Sequence, residues 1–266
     1  MRLDIYLVTS GIAPSREKAK GYIKDGLVTV NGAVTRKPSD EVGEGDTVKY
    51  LGLGERYVSR GGLKLEAAIN SFSLDVKGLV CLDIGASTGG FTDCLLQSGA
   101  MRVYAVDVGH EQLSRKLAED KRVISIEGVN VKDLSPDIIP EKPDIVTADL
   151  SFISVLYALR AAFTLMKDSA RGVFLIKPQF EAGREFLSKG GIVRDRAAHI
   201  EVLKRVSDNA LEIGFYIEGL IPSPIKGGDG NIEYLILLSR TKPLKPCLPD
   251  YKKTVDSAFL GGNSLN

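Results

Sequence analysis

The chain has 266 residues, of which 44% are hydrophobic and 26% charged, and its formal net charge is +1. These values are typical of a globular protein with one large or two modest domains, and any nucleic-acid surface must come from local charge clusters. No apolar run reaches the roughly 20 residues of a membrane span. Three cysteines without CxxC spacing and two scattered histidines favour a cytoplasmic protein without a metal site.

The first fifty residues predict a small α+β unit. A helix begins after Ser15, which is placed as its N-cap, and ends at Gly26. Two strands follow, joined by Asn31-Gly32, a dipeptide typical of a two-residue hairpin turn. Another glycine-containing turn then leads to a third strand, which ends at residue 50.

Basic side chains are concentrated on this helix. Arg16, Lys20 and Lys24 recur at steps of four residues, so they share one helix face, and Lys18 lies between them. Such a face near a hairpin can follow a phosphate backbone. A merely solvated helix face would give the same pattern, so charge alone leaves both interpretations open.

Residues 51–62 predict a linker, because they are rich in glycine and contain the basic residues Arg56 and Arg60. A helix is then predicted over residues 63–72. Lys64 lies near the start of that helix, where a positive charge is not favoured electrostatically.

Residues 78–109 predict a strand–loop–helix–strand unit that holds a nucleotide-like cofactor. The apolar run 79–84, closed by glycines, is typical of a buried parallel strand. Asp107 ends the second strand, where a carboxylate can accept hydrogen bonds from two ribose hydroxyls. Glycines allow a tight turn and a close approach to the backbone.

The loop sequence favours S-adenosylmethionine over NAD. It is G-A-S-T-G-G instead of G-x-G-x-x-G, and Asp83 precedes it, where a pyrophosphate would be repelled but the cationic end of S-adenosylmethionine would not. A glycine-rich turn without a ligand is the remaining alternative. The predicted cofactor contacts are Asp83 (methionine end), Gly85, Ala86, Ser87, Thr88, Gly89, Gly90, Phe91, Asp107 (ribose), Val108, Asn130 and Val131 (adenine), and Asp149.

The remaining chain alternates strands and helices, which predicts an α/β fold with a Rossmann-like, mainly parallel seven-stranded sheet. Asp149 and Lys177 each follow a predicted strand, so they should meet at the carboxyl edge of the sheet. If the seventh strand is inserted antiparallel, Glu233 lies at the same edge. Lys64 could then complete a polar cluster beside the cofactor.

Two resemblances are carried by specific motifs. Arg16, Ala19 and Ile23 match the R-x-x-A-x-x-x-I helix of an S4 RNA-binding domain, and residues 26–32 match its G-x-V-x-V-N-G hairpin. The motifs D-I-G-A-S-T-G-G-F-T-D, A-D-L-S-F-I-S, L-I-K-P-Q-F-E and K-G-G-I-V-R-D resemble the TlyA family, also called hemolysin A. The resemblance implies an S4 domain at 1–50, an FtsJ-like methyltransferase domain at 63–242 and a C-terminal tail at 243–266.

The TlyA resemblance implies 2′-O-methylation of ribosomal RNA with S-adenosylmethionine, at cytidine in the large and possibly the small subunit. It assigns the FtsJ-like Lys-Asp-Lys-Glu set to Lys64, Asp149, Lys177 and Glu233. Two alternatives remain: a membrane-active hemolysin, and an S4-guided RNA-binding or ribosome assembly factor without catalysis. RNA contacts are expected from Arg16, Lys18, Lys20, Lys24, Arg56 and Arg60, and from Arg184, Lys189 and Arg194 on a mobile loop over residues 181–195.

Overall fold

The computed structural model divides into two compact units, Met1–Arg56 and Tyr57–Asn266. It describes residues 1–13, 15–24, 26–50, 56–227, 230–244 and 247–261. Residues 51–55 of the predicted linker therefore lie outside the described residues, as do residues 245–246 and 262–266 of the predicted tail.

The first unit packs two helices on a small antiparallel sheet with strand order β2-β1-β3. Ser15 caps the second helix as predicted, since its Oγ accepts a hydrogen bond from the Lys18 N–H at 3.2 Å. Asn31 and Gly32 have φ of 53° and 82°, as a two-residue hairpin turn requires. The first helix was not predicted. The elements are α1 (Leu3–Thr9), α2 (Arg16–Lys24), β1 (Val28–Val30), β2 (Ala33–Val34) and β3 (Val48–Tyr50).

The second unit alternates strands and helices. Its elements are α3 (Gly61–Phe72), β4 (Val80–Ile84), α4 (Gly90–Gln97), β5 (Arg102–Asp107), α5 (Arg115–Ala118), β6 (Val123–Glu127), β7 (Ile145–Ala148), α6 (Leu156–Leu165), β8 (Arg171–Ile176), α7 (Pro178–Glu181), α8 (Arg196–Ile213), β9 (Tyr216–Pro222), β10 (Tyr234–Ser239) and α9 (Tyr251–Gly261). Short 3₁₀ turns occur at Val131–Asp133 and Arg184–Phe186. The short helices α5 and α7 were not predicted.

Among the described residues, these strands form one seven-stranded sheet of order β6-β5-β4-β7-β8-β10-β9. The predicted α/β fold with a mainly parallel seven-stranded sheet is thus confirmed. The condition that places Glu233 at the carboxyl edge is also met, because β10 pairs antiparallel with both β8 and β9. In the β8–β10 register Tyr234 lies opposite Ile176. The residue before β10 and the residue after β8 therefore lie at the same edge of the sheet.

Apolar cores cover both faces of this sheet, as a mainly parallel sheet requires. On β4, Leu82 and Ile84 join the core beneath α6 and α8, while Cys81 joins the core beneath α3 and α4. The region predicted as a C-terminal tail contains α9, whose Val255 is fully buried in the first of these cores. None of the helices in the described segments is both long and apolar enough to cross a membrane.

Candidate active site

The loop between β4 and α4 lies at the carboxyl edge of the sheet, and its glycines let neighbouring segments approach. Gly85 has φ of 81°, and a Cβ added there would lie 2.7 Å from the Asp149 carbonyl oxygen. A Cβ on Gly90 would lie 3.1 Å from the Cα of Gly61. The loop can therefore contact both the end of β7 and the start of α3 only because these positions are glycine.

A cavity of about 260 Å³ opens beside this loop. Its wall contains seven of the predicted cofactor contacts, six from the glycine loop and the start of α4 and one, Asp149, from the end of β7. Hydroxyl and basic side chains of the wall supply hydrogen-bond donors. This donor set at the start of α4 fits a ligand with a carboxylate and a ribose, as the predicted S-adenosylmethionine has. The lining residues are Ser59, Arg60, Gly61, Lys64, Gly85, Ala86, Ser87, Thr88, Gly90, Phe91, Asp149, Ser151 and Lys177.

Asp107 braces the glycine loop from the neighbouring strand. Its carboxylate accepts hydrogen bonds from the Ser87 N–H and the Gly109 N–H, both at 2.8 Å. The adjacent Val108 is 64% exposed. Asn130 caps the following 3₁₀ turn by accepting from the Lys132 N–H at 3.0 Å, and Val131 is buried. In the described structure these four residues, like Gly89, lie outside the lining of the cavity.

Asp83, which is predicted to contact the methionine end of a cofactor, accepts hydrogen bonds from within the protein. The residue is fully buried, and its carboxylate accepts hydrogen bonds from the hydroxyls of Thr92 (2.7 Å) and Thr147 (2.9 Å). Burial raises the pKa of Asp83 to about 6, against the opposing effect of these two hydroxyls. The carboxylate therefore ties β4 to α4 and β7 beneath the loop, and Asp83 is not among the described residues that line the cavity.

Two lysine–carboxylate ion pairs lie at the same edge of the sheet. Lys177 Nζ is 2.5 Å from Asp149 Oδ1 and donates a hydrogen bond to Ser151 Oγ at 2.9 Å. Lys64 Nζ is 2.5 Å from Glu233 Oε2, and the two side chains are only 9% and 2% exposed. The structure thus assembles the four residues predicted as catalytic into two pairs.

The strand order explains this assembly. Asp149 follows β7 and Lys177 follows β8, and these strands are parallel neighbours. Glu233 directly precedes β10, which runs in the opposite direction, so the start of β10 lies beside the end of β8. Lys64 comes from the first turn of α3, which packs against α4.

A second cavity, of about 310 Å³, adjoins the first and shares Ser151 and Lys177 with it. Phe152 forms part of its wall although it is 91% exposed, and its φ of 66° is rare for a non-glycine residue. The Phe152 ring lies 5.2 Å from that of Phe180. The lining residues are Ser151, Phe152, Lys177, Gln179, Phe180, Leu187, Gly191 and Glu233.

The residues predicted to bind RNA fall into three groups. Lys18, Lys20 and Lys24 are exposed on α2, whereas Arg16 of the same helix is ion-paired with the buried Asp4 at 2.9 Å. In the second unit Arg60 lines the first cavity. The other residues predicted to bind RNA, Arg56, Arg184, Lys189 and Arg194, are all exposed.

The loop that carries Arg184, Lys189 and Arg194 is more structured than predicted. Leu187 and Val193 form a β-bridge. The side chain of Asn231, which is almost fully buried, accepts from the Val193 N–H at 3.1 Å and donates to the Gly191 carbonyl at 3.1 Å. The loop is therefore held against the segment that leads into β10.

Sequence reasoning gave no role to Ser59, Ser151, Phe152 or Gln179. Ser151 and Phe152 lie within the motif A-D-L-S-F, so the sequence already marked this segment. Only the structure shows that both residues line the second cavity together with Lys177. Within the described ranges, no cluster of three or more His, Cys, Asp or Glu side chains is arranged to hold a metal ion.

Comparisons with known proteins agree with this geometry. Residues 57–240 match the family model of the FtsJ-like methyltransferases, and residues 1–48 match that of the S4 domain. The chain is 47% identical to the candidate rRNA methyltransferase YqxC of Bacillus subtilis, over 89% of this chain and 85% of that protein.

Two further relatives cover most of the chain. The 16S/23S rRNA (cytidine-2′-O)-methyltransferase TlyA of Mycobacterium tuberculosis is 40% identical, with 89% of each chain covered. A solved structure of a candidate hemolysin from Streptococcus thermophilus superimposes with a TM-score of 0.80 at 43% identity, covering 99% of this chain and 97% of that one.

Proposed function

The chain belongs to the FtsJ-like methyltransferase family, and we propose that it methylates a ribose 2′-hydroxyl of ribosomal RNA with S-adenosylmethionine as the donor. The observation that supports this most directly is the pair Lys177–Asp149 at the sheet edge. Lys177 lies on the wall shared by both cavities, and Asp149 lines the first cavity. A relative named as a cytidine-2′-O-methyltransferase favours cytidine as the target. Such a substrate would place the reaction with ribosomes in the cytoplasm.

In this proposal the first cavity holds the cofactor. The backbone of residues 85–88 and the start of α4 would bind it, and Arg60 and Ser59 would contact its charged end. When bound, S-adenosylmethionine supplies an electrophilic methyl group. Asp107 would accept hydrogen bonds from the ribose hydroxyls of the cofactor. Each of its carboxylate oxygens accepts one backbone N–H and keeps a further lone pair for this.

Lys177 would orient the 2′-hydroxyl. Asp149 and Ser151 hold its ammonium at one point on the wall between the cavities, so a hydroxyl bound there has a fixed position. Fixing the reacting atoms in line can supply a large part of a rate enhancement. If Lys177 acts as the general base instead, it would accept the hydroxyl proton. Lys64 and Glu233 would complete the polar wall.

The second cavity suits the target nucleotide. An exposed aromatic ring beside a polar cluster can stack on a base that is turned out of an RNA helix, and Phe152 is such a ring. The exposed Arg184, Lys189 and Arg194 would contact phosphates near this cavity. The S4 domain would bind structured RNA through Lys18, Lys20 and Lys24 of α2.

The decisive experiment is mass-spectrometric mapping of ribose methylation in both ribosomal RNAs. Subunits that lack the modification are incubated with the purified chain and S-adenosylmethionine, and with a Lys177→Ala variant as the matched control. We expect one or more new 2′-O-methylcytidines with the wild type and none with the variant.

A chain that binds both S-adenosylmethionine and ribosomal subunits without any gain in mass would contradict the proposal. It would favour the alternative of a ribosome assembly factor. Lysis of red cells that survives Lys177→Ala would instead revive the membrane-active alternative.

A further inference from the structure

Two short segments of the second unit face each other beside the proposed site. We define the acceptor loop as residues 149–155, after β7, and the lysine turn as residues 177–181, after β8. They contact each other at successive positions, which are Asp149 with Lys177, Ser151 with Lys177, Phe152 with Phe180, and Ser154 and Val155 with Glu181.

Glu181 makes the most buried of these contacts. It is 8% exposed, and its Oε1 accepts from the Val155 N–H at 2.7 Å while its Oε2 accepts from the Ser154 hydroxyl at 2.8 Å. Arg205 of α8 donates to the Glu181 backbone carbonyl, and its guanidinium lies 3.9 Å from Glu181 Oε2. Glu181 is not among the residues described as lining either cavity, so any effect on the reaction would act through the acceptor loop.

The acceptor loop needs such a restraint because Phe152 is held in an unfavourable backbone conformation. Its φ of 66° is one that a phenylalanine keeps only when the surrounding structure enforces it. Before Phe152, the Asp149 N–H donates to the Ile84 carbonyl at 3.1 Å. After Phe152, the restraint is the pair of hydrogen bonds to Glu181.

We propose that Glu181 is a positioning residue for methyl transfer, which fixes Ser151 and Phe152 of the acceptor loop relative to Lys177. The inference rests on the proposed function and adds a residue outside the Lys-Asp-Lys-Glu set. A displacement of about 1 Å near reacting groups can slow a reaction about 100-fold. Losing Glu181 should therefore lower the rate of methyl transfer while the glycine loop keeps its affinity for cofactor.

The test compares Glu181→Gln and Glu181→Ala with a matched control, Ser207→Ala. Ser207 is fully buried on α8, and its hydroxyl has no hydrogen-bond partner among the described residues. Single-turnover methylation of ribosomal RNA is measured at saturating RNA and S-adenosylmethionine, and cofactor affinity by calorimetry. We expect the Glu181 variants to be about 10- to 100-fold slower, with cofactor affinity unchanged, and Ser207→Ala to match the wild type.

A double-mutant cycle separates positioning from general stability. Glycine adopts positive φ without strain. In a Phe152→Gly background the acceptor loop therefore depends less on the two hydrogen bonds to Glu181 for its conformation. We expect Glu181→Gln to slow that background much less than it slows the wild type. If neither Glu181 variant folds, Ser154→Ala, which removes one of the two hydrogen bonds, takes their place in the cycle.

A folded Glu181→Gln variant with the wild-type rate would overturn the inference, and so would an equal rate loss in both backgrounds. A wild-type chain that methylates no RNA would instead overturn the proposed function, and this inference with it. The two failures are distinguishable because only the second is seen without any variant.

Discussion

Lys64 and Glu233 are 169 positions apart in the sequence, yet the Lys64 ammonium lies 2.5 Å from the Glu233 carboxylate. The pair joins the first helix of the second unit to the start of its last strand in sequence. Removing one partner of such a buried pair would leave the other charge uncompensated, which typically costs about 3–5 kcal/mol of stability. Substitutions at Lys64 or Glu233 therefore test folding and activity together. Lys177 is the cleaner probe of chemistry, because its partner Asp149 is 20% exposed and can be solvated when the lysine is removed.

Replacing Lys177 by alanine should slow single-turnover methylation by about 10²–10⁴-fold if the amine acts as a general base. Binding of S-adenosylmethionine and RNA should be nearly unchanged. Lys177→Arg should not restore the rate, because a guanidinium stays protonated at any working pH. Lys142→Ala, at an exposed lysine before β7, is the control for loss of a positive charge. A near-normal rate for Lys177→Arg would show that Lys177 contributes only its charge.

Replacing Asp107 by alanine should weaken S-adenosylmethionine binding. The lost hydrogen bonds are worth roughly 1–3 kcal/mol, or about 5- to 150-fold in affinity, and the Ser87 and Gly109 N–H groups also lose their acceptor. The control is Glu127→Ala on the adjacent strand, where Glu127 is the register partner of Asp107. Calorimetry that finds equal affinities for both folded variants would show that Asp107 does not hold the cofactor.

Ionisation of Asp83 should lower the free energy of unfolding of the second unit as the pH rises. Burial raises its pKa to about 6 in the folded state, whereas an unfolded aspartate has a pKa of about 3.9. Between about pH 4 and 6 the folded state therefore binds more protons, and the free energy of unfolding falls by up to about 3 kcal/mol.

Asp83→Asn carries no charge at any pH and should lack this decline. Denaturant unfolding of both proteins from pH 4 to 7 measures their free energies of unfolding. As the pH rises, that of the wild type should fall relative to that of the variant. Parallel pH profiles would mean that Asp83 titrates normally in the folded protein.

Arg16 and Lys20 should behave differently although they share a helix face. The Arg2 hydrogen bond, aided by Arg16, lowers the pKa of the buried Asp4 to about 2. The stability that Asp4 contributes is therefore present above about pH 4 and is lost as the pH falls towards 2. Arg16→Ala should destabilise the protein by roughly 1–3 kcal/mol, and Lys20→Ala by less than about 0.5 kcal/mol.

Lys20→Ala should nevertheless reduce the salt dependence of RNA binding by about one unit of slope. Thermal unfolding and RNA-binding titrations at several salt concentrations measure the two effects separately. If Arg16→Ala and Lys20→Ala melt alike, the Arg16–Asp4 ion pair adds no stability. If the salt slope is unchanged in Lys20→Ala, this lysine is merely solvated.

The sequence by itself determined the class of fold and the succession of the large sheet's strands along the chain. Buried strands such as β4 are mostly apolar runs flanked by glycine, and the hairpin at Asn31-Gly32 needs two residues with positive φ. Local sequence could specify these features because periodicity and turn chemistry act over a few residues. It was less informative for α1, α5 and α7, which have only 7, 4 and 4 residues, and for α9.

Only the tertiary structure decided which polar residues meet and which are buried. Asp83 precedes the glycine loop in the sequence, but only strand packing shows that its buried carboxylate accepts hydrogen bonds from two threonine hydroxyls. Arg16 was grouped with Lys20 by helix periodicity, but Asp4 from another helix engages it. The pairing of Lys64 with Glu233 depends on the direction and position of β10 in the sheet, and long-range packing fixes both.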